Sequence, residues 1–376
     1  MAHAYTPGLK VTDDIIVKKH RILPLKGEVM VKVGDKVSPD DVVARTHLPG
    51  NVVPLNVANK MGLPPEDLPG YMVKQQGEAI KEGDVIAYKK GLFGTKLFHS
   101  ECKSTLEGTI ESISHITGQV LQRGLPIPVE VRAYIRGEVI EVIPQEGVVV
   151  ACRASFAQGI FGIGGETYGN ILVATPDNST ILSDDLIKPE MKGRVVIGGS
   201  LVTAAALKTA ITTGVKGIVV GGFDDKDLRD FLGYDIGVAI TGSEDKGITL
   251  VVTEGFGQIS MARKTYDLFK RHEGQMACIN GATQIRAGVI RPEVVIPSDT
   301  PMNAGNNGEG QIMGLTIGSP VRVIRHPYFG RLGKVTELPS PLQKLGSESH
   351  ARVLWVEFES GEKAVVPRAN VEMIEG

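Results

Sequence analysis

The apolar residues of this chain change their spacing twice, and that change limits the architectures open to it. Up to residue 150 the apolar runs are short, β-branched and fenced by Gly, Pro or Asp, as at 29–33, 42–44, 85–88, 109–113 and 138–143. Such runs predict strands joined by tight turns. From 191 to 297 apolar strands alternate with helical stretches, the mark of a layered α/β domain with a mostly parallel sheet. After 318 the β pattern returns. A chain of 376 residues has room for more than one core. The expected division is a β-rich domain at 1–150, a Gly-rich β connection at 151–190, an α/β domain at 191–297, a linker at 298–317 and a small β domain at 318–376. The fold class is therefore multidomain α/β and β.

The first β region carries an internal echo. Gly34-Asp35-Lys36-Val37 followed by Asp40-Asp41-Val42-Val43-Ala44 lines up with Gly77-Glu78-Ala79-Ile80 followed by Gly83-Asp84-Val85-Ile86-Ala87. Each copy reads as an acidic Gly turn, an apolar plug, a second turn, and a strand that carries an apolar pair into the core. This pattern over residues 20–125, with an insertion at 46–72, resembles the barrel-sandwich hybrid of lipoyl and biotinyl domains. Ser104-Thr105-Leu106-Glu107-Gly108-Thr109 looks like that family's returning strand. The resemblance implies a modified lysine on a hairpin before the returning Gly, but Lys96 lacks the family's flanking residues, and Lys89, Lys90 and Lys103 are no better placed. No covalent cofactor is expected, and the module reads as a rigid contact surface.

In the α/β stretch the pattern places strands at 194–197, 217–222, 236–241, 248–253, 276–279 and 294–296. It places helices at 201–213, with Ser200 as N-cap, at 225–232 and at 258–272. Upstream, the five glycines at 159, 162, 164, 165 and 169 read either as a phosphate-cradling loop or as close backbone packing. The missing Lys-Ser/Thr ending favours packing.

Open parallel sheets bind ligands at strand-to-helix corners. Gly199 and Ser200 form one corner and come close to a nucleophile elbow, but Val202 stands where the last Gly belongs. Gly221, Gly222 and Asp224 form a second, acidic corner. Gly255 and Gly257 form a third, a near miss to the dinucleotide-binding glycine pattern. Asn280, Arg286 and Arg291 follow the next strand and combine amide and guanidinium groups that either suit a carboxylate or phosphate or tie a loop to the sheet or build a subunit interface. Gly199, Ser200, Gly255, Gly257, Asn280, Arg286 and Arg291 are thus the candidate anion or ligand site.

The last block contains Gly318-Ser319-Pro320-Val321-Arg322-Val323-Ile324-Arg325-His326-Pro327-Tyr328-Phe329-Gly330-Arg331-Leu332-Gly333-Lys334-Val335. It resembles a KOW motif of the SH3-like barrels found in ribosomal and transcription-elongation proteins. The resemblance implies contact with RNA or protein. Arg322, Arg325, Tyr328, Phe329, Arg331 and Lys334 are the candidate nucleic-acid contacts, cations for a phosphate backbone and rings for bases.

Several classes are excluded or disfavoured. Net charge is -2, so no overall electrostatic field advertises nucleic acid or anionic lipid. Cys102, Cys152 and Cys278 stand far apart, with no metal-ligand spacing, and suit a reducing compartment as small buried hydrophobes. The most apolar stretch, 201–222, is broken by Lys208, Gly214, Lys216 and Gly217, so no membrane insertion is expected. No targeting segment is visible, and the cytoplasm is the expected location. The negative record for metals, cofactors and catalytic motifs leads to a non-enzymatic scaffold or adaptor that self-associates or docks onto a larger complex. Two alternatives stand beside it: a small-anion or nucleotide-binding subunit using the α/β domain, enzymatic or not, and an RNA- or ribosome-associated factor using the terminal block.

Overall fold

The computed structural model describes residues 9–90, 99–232, 246–283, 290–302, 316–323, 327–328, 331–339, 343–344, 350–358 and 360–373. The chain is rich in strand and centres on one large mixed sheet. From one edge its strands are Phe161–Ile163, Thr249–Phe256, Gly217–Phe223, Val195–Ile197, Glu166–Val173, Met276–Asn280, Glu293–Pro297, Gly147–Gln158, Gly137–Ile143 and Lys36–Val37. Glu166–Val173, Val195–Ile197, Gly217–Phe223 and Thr249–Phe256 run parallel. Beyond them, Met276–Asn280, Glu293–Pro297 and Gly147–Gln158 alternate in direction. Only part of the sheet is therefore parallel, because Met276–Asn280 and Glu293–Pro297 reverse direction within the α/β stretch and strands from the preceding β region extend the sheet further.

Gly147–Gln158 is the joint. It pairs with Val11–Ile22 along one side, and Gly137–Ile143 and Glu293–Pro297 share its other side. Its residues are buried nearly throughout, as expected of a strand covered on both faces. The boundary expected at residue 150 falls inside this strand. Both helix-bearing faces of the parallel strands are packed. Val196, Ile218, Val220 and Leu250 meet Leu207 and Ala210 of a helix on one side. Val195, Ile197, Val219 and Val251 meet Tyr266, Leu268 and Phe269 of another on the other.

The echo in the N-terminal region is a structural repeat. Asp35 accepts the backbone N–H of Lys32 at 2.8 Å and Glu78 that of Gln75 at 2.9 Å. Asp41 and Asp84 do the same for Ser38 and Lys81, at 2.7 and 3.0 Å. The plugs Val37 and Ile80 and the pairs Val43-Ala44 and Ile86-Ala87 are buried. The two copies feed different cores. The first packs with Val148, Val150 and Cys278 of the large sheet, and the second with Leu55, Leu68, Ile110 and Val120.

Four α-helices are described: α1 Val57–Met61, α2 Ala204–Thr213, α3 Asp225–Leu232 and α4 Arg263–Arg271. α2 begins later than the sequence suggests, because Leu201–Val202 continues as a short strand beside Gly217–Phe223. Its cap is Thr203, whose hydroxyl accepts the N–H of Ala206 at 3.1 Å, and not Ser200. α4 is also shorter than expected, since 257–262 are non-helical. The strand expected at 236–241 lies outside the described residues.

At the C-terminal end, Pro320–Val323, Leu332–Glu337, Val353–Phe358, Lys363–Pro367 and Val371–Met373 form a five-stranded sheet. Its core includes Val321, Val335, Leu354, Val356 and Val366. All three cysteines are free and buried. Burial pushes the thiols of Cys152 and Cys278 up to about 12 and raises that of Cys102. A thiolate nucleophile is not available at neutral pH from such groups. Among the described residues no helix is long and apolar enough to cross a membrane.

Candidate functional site

The carboxyl ends of the parallel strands hold the three glycine corners, and the chain itself fills them. A Cβ on Gly199 would stand 2.3 Å from the carbonyl oxygen of Thr180, one on Gly221 2.2 Å from that of Ile259, and one on Gly222 2.0 Å from that of Gly257. These glycines let backbone pack on backbone. Gly255 faces Gly222 at a register shift, and the N–H of Gly257 donates to the Phe223 oxygen at 2.9 Å. Ser200 is buried; its N–H donates to Thr180 O at 3.0 Å, while its hydroxyl meets no partner among the described residues. The loop that covers this corner is built on Asp177. Its carboxylate accepts the N–H and hydroxyl of both Ser179 and Thr180 at 2.8–2.9 Å. Those bonds hold the acid down to about 2. The glycines at 159, 162 and 169 are likewise packed against backbone or side chains, as the packing reading expects.

The start of α4 favours an anion, and the protein supplies one. Glu254, 4% exposed, accepts the N–H of Ala262 at 3.0 Å. Its other oxygen accepts Arg322 Nη1 at 2.7 Å, and the same nitrogen donates to the carbonyls of Glu254 and Thr253 at 2.7 and 3.1 Å. Arg322 is 1% exposed. The residue expected to touch nucleic acid is instead a bolt between the C-terminal sheet and the large one. The correction has a simple cause. Alternation along Pro320–Val323 decides which side a residue faces, and the side of Arg322 is covered by the end of Thr249–Phe256.

The other expected site residues do not converge. Met276–Asn280 runs antiparallel to Glu166–Val173, and this sets Asn280 beside Glu166, at the opposite edge from Ser200 and Gly255. Asn280 Oδ1 accepts the N–H of Ala282 at 2.9 Å. Arg291 is half-buried, and Arg286 lies outside the described residues. In the terminal block, Arg331 stacks on Phe358, 3.9 Å from its ring centre, and binds Glu362 at 2.7 Å and Ser360 at 2.9 Å. Tyr328 lies 5.2 Å from the Phe358 ring. Lys334 is exposed, and Arg325 and Phe329 lie outside the described residues.

The amino ends of the same parallel strands are open. Here a cleft of about 820 Å³ separates the N-terminal repeat from the sheet. Asp40, Arg132 and Tyr134 line one wall, and Glu166, Tyr168, Asn170, Lys192, Arg194 and Lys216 the other. Its carboxylates are paired. Glu166 takes a two-pronged bond from Arg21, both contacts at 2.7 Å. Asp40 accepts Arg132 at 3.1 Å and the Tyr168 hydroxyl.

At the floor of the cleft, Tyr134 is buried and has φ of +67°. An L-residue held there stores roughly 1–3 kcal/mol. Its hydroxyl donates to Glu293 at 3.1 Å, and Glu293 also takes Lys19 at 2.5–2.6 Å. Lys19 and Arg21 stand 5.8 and 5.6 Å from the Tyr134 ring. Burial, then the Glu293 charge, pushes the phenol well above its ordinary range. Tyr134 is thus a neutral donor that helps fix a carboxylate.

The sequence reading missed this edge. Its signal was basic residues just ahead of two parallel strands, Lys192 and Arg194 before Val195, and Lys216 before Gly217. A second missed grouping is Ser155 with His272 Nε2 at 2.9 Å and Gln275 at 3.0 Å from His272 Nδ1. The Ser155 hydroxyl donates its proton to the Asp13 carbonyl at 2.7 Å. A hydroxyl whose proton is committed to a backbone carbonyl is not passing it to a base, which makes this grouping a tie and not a nucleophile with its base. Among the described residues no group of three or more His, Cys, Asp or Glu could hold a metal ion. No protein-family model, curated protein or solved structure matches the chain.

Proposed function

We propose that the chain is a non-enzymatic cytoplasmic scaffold or adaptor that self-associates or docks onto a larger complex. Its contact surfaces are a barrel-sandwich-hybrid-like N-terminal module and a KOW-like, SH3-like C-terminal barrel, set on an α/β core. The observation that carries this reading is the buried Arg322–Glu254 bond. A buried ion pair adds little net stability but can fix one arrangement over others. Modules held in fixed register lose less entropy when a partner binds both. A second feature supports it: Val52 and Val53 on the strand Val52–Asn56, Leu125, and Ile127 at the start of the strand Ile127–Arg132 are exposed apolar residues available to a contact surface.

Light scattering on the eluting pure protein, with pull-downs from a lysate, tests the reading. The expected result is a mass above one chain or a retained partner, either of them reduced by Val53→Lys with Ile127→Lys. A strict monomer that retains nothing overturns it. The RNA-associated alternative has less on its side, since Arg322 is buried and Arg331 is engaged by Glu362, which leaves Lys334 as the exposed cation among the described candidates. Salt-dependent RNA affinity that falls when Arg325 and Lys334 become Ala would restore it.

A further inference from the structure

The cleft at the amino edge gathers cations that have no ion pair among the described residues. Lys192, Arg194 and Lys216 line one wall. None of the three has an ion pair or side-chain hydrogen bond among the described residues. The two carboxylates of the cleft are engaged by other groups, Glu166 by Arg21 and Asp40 by Arg132 and Tyr168.

The three cations are also tied together through the backbone. Lys216 N–H donates to Arg194 O at 3.0 Å, and Gly193 N–H donates to Gly214 O at 2.9 Å. Two backbone hydrogen bonds thus tie together the loops that carry them. Gly193 has φ of +74°, and a Cβ there would meet nothing within 4 Å, so the backbone between Lys192 and Arg194 faces open space. Like charges fixed close together repel, and the arrangement is stabilised when an anion joins them. Two ammonium groups and a guanidinium fork suit several oxygens spread over one ligand. A cleft of this volume is in the usual range for a small-molecule site.

We propose that this cleft binds a small, multiply charged oxyanion, of the phosphate or polycarboxylate type, with Lys192, Arg194 and Lys216 as its cationic wall. Tyr168 and Asn170 complete that wall as polar groups. The proposal is independent of the scaffold reading: a monomer can bind such a ligand, and an oligomer can fail to.

Calorimetric titration of the full chain with pyrophosphate and, separately, with citrate tests it, at matched ionic strength against sodium chloride. The expected result is saturable binding of at least one of them at one site per chain. Affinity should fall at least tenfold in Arg194→Ala and become undetectable in the triple variant Lys192→Ala, Arg194→Ala, Lys216→Ala. Lys334→Ala, a cation removed elsewhere, should bind like the native chain. Tighter pyrophosphate assigns a phosphorylated ligand, and tighter citrate a polycarboxylate. Circular dichroism checks the fold of each variant, and Arg194→Lys, which keeps charge but loses the fork, should bind between native and Arg194→Ala. Absence of saturable binding to either anion overturns the proposal, as does a folded triple variant that binds like the native chain.

Discussion

The two edges of the parallel strands solve one electrostatic problem in opposite ways. At the carboxyl edge, helix α4 and the glycine corners offer a place for an anion, and Glu254 takes it. Arg322, 68 residues further along, then neutralises Glu254. The corners are sealed by backbone packed on Gly199, Gly221 and Gly222. At the amino edge three cations are gathered, and among the described residues the carboxylates of the cleft are engaged by other groups. The difference teaches that glycine at a strand end reports close approach by something, and that the something can be the chain's own backbone. An open cleft with unbalanced charge is the stronger sign of a ligand.

That contrast can be broken by measurement. The largest expected effect is at Arg322. Arg322→Ala leaves Glu254 buried without its counter-ion and should lower unfolding free energy in urea by about 3–5 kcal/mol. A loss below about 1 kcal/mol would mean the bond does not hold the two sheets together. Next is Gly222→Ala, whose Cβ would stand 2.0 Å from the Gly257 oxygen, with an expected loss of about 1–3 kcal/mol. Gly193→Ala, at the open edge, meets only the strain of its left-handed φ, about 1 kcal/mol. Equal losses at Gly222 and Gly193 would erase the distinction between a sealed and an open edge.

Asp177 adds a pH signature to the sealed edge. Its folded pKa of about 2 lies below the ordinary value, so the group stabilises the fold above about pH 4, and that contribution fades as pH falls through 2. Asp177→Asn should flatten the stability profile between about pH 4 and 2 while leaving its shape at neutral pH unchanged; an unaltered acid limb would contradict this. The smallest effect is expected from Lys216→Ala, within about 0.5 kcal/mol, because the side chain is exposed and has no ion pair among the described residues. A large loss there would mean that Lys216 supports the fold and is not held for a ligand.

Much of the local structure was legible. The echo between residues 34–44 and 77–87 could be read because acidic turns and apolar plugs are set by neighbours in sequence. The glycine corners could be located for the same reason. Their role could not be read, since Gly222 is glycine on account of Gly257 and Gly199 on account of Thr180. The direction of Met276–Asn280 was also invisible. An apolar run has no arrow, and pairing with Glu166–Val173 decided that Asn280 would lie far from Ser200.

Turn chemistry and hydrophobic spacing, which act over a few residues, located the repeat and the existence of the main strands and helices, while the starts of α2 and α4 depended on the neighbouring strands. Tertiary structure alone decided the charges. Whether an arginine is a bolt or a ligand contact depends on what covers it. Arg322 is covered by Glu254, while Arg194 faces a cleft whose carboxylates are already engaged by others. Pairing across long stretches of chain is a property of packing, and no local pattern records it.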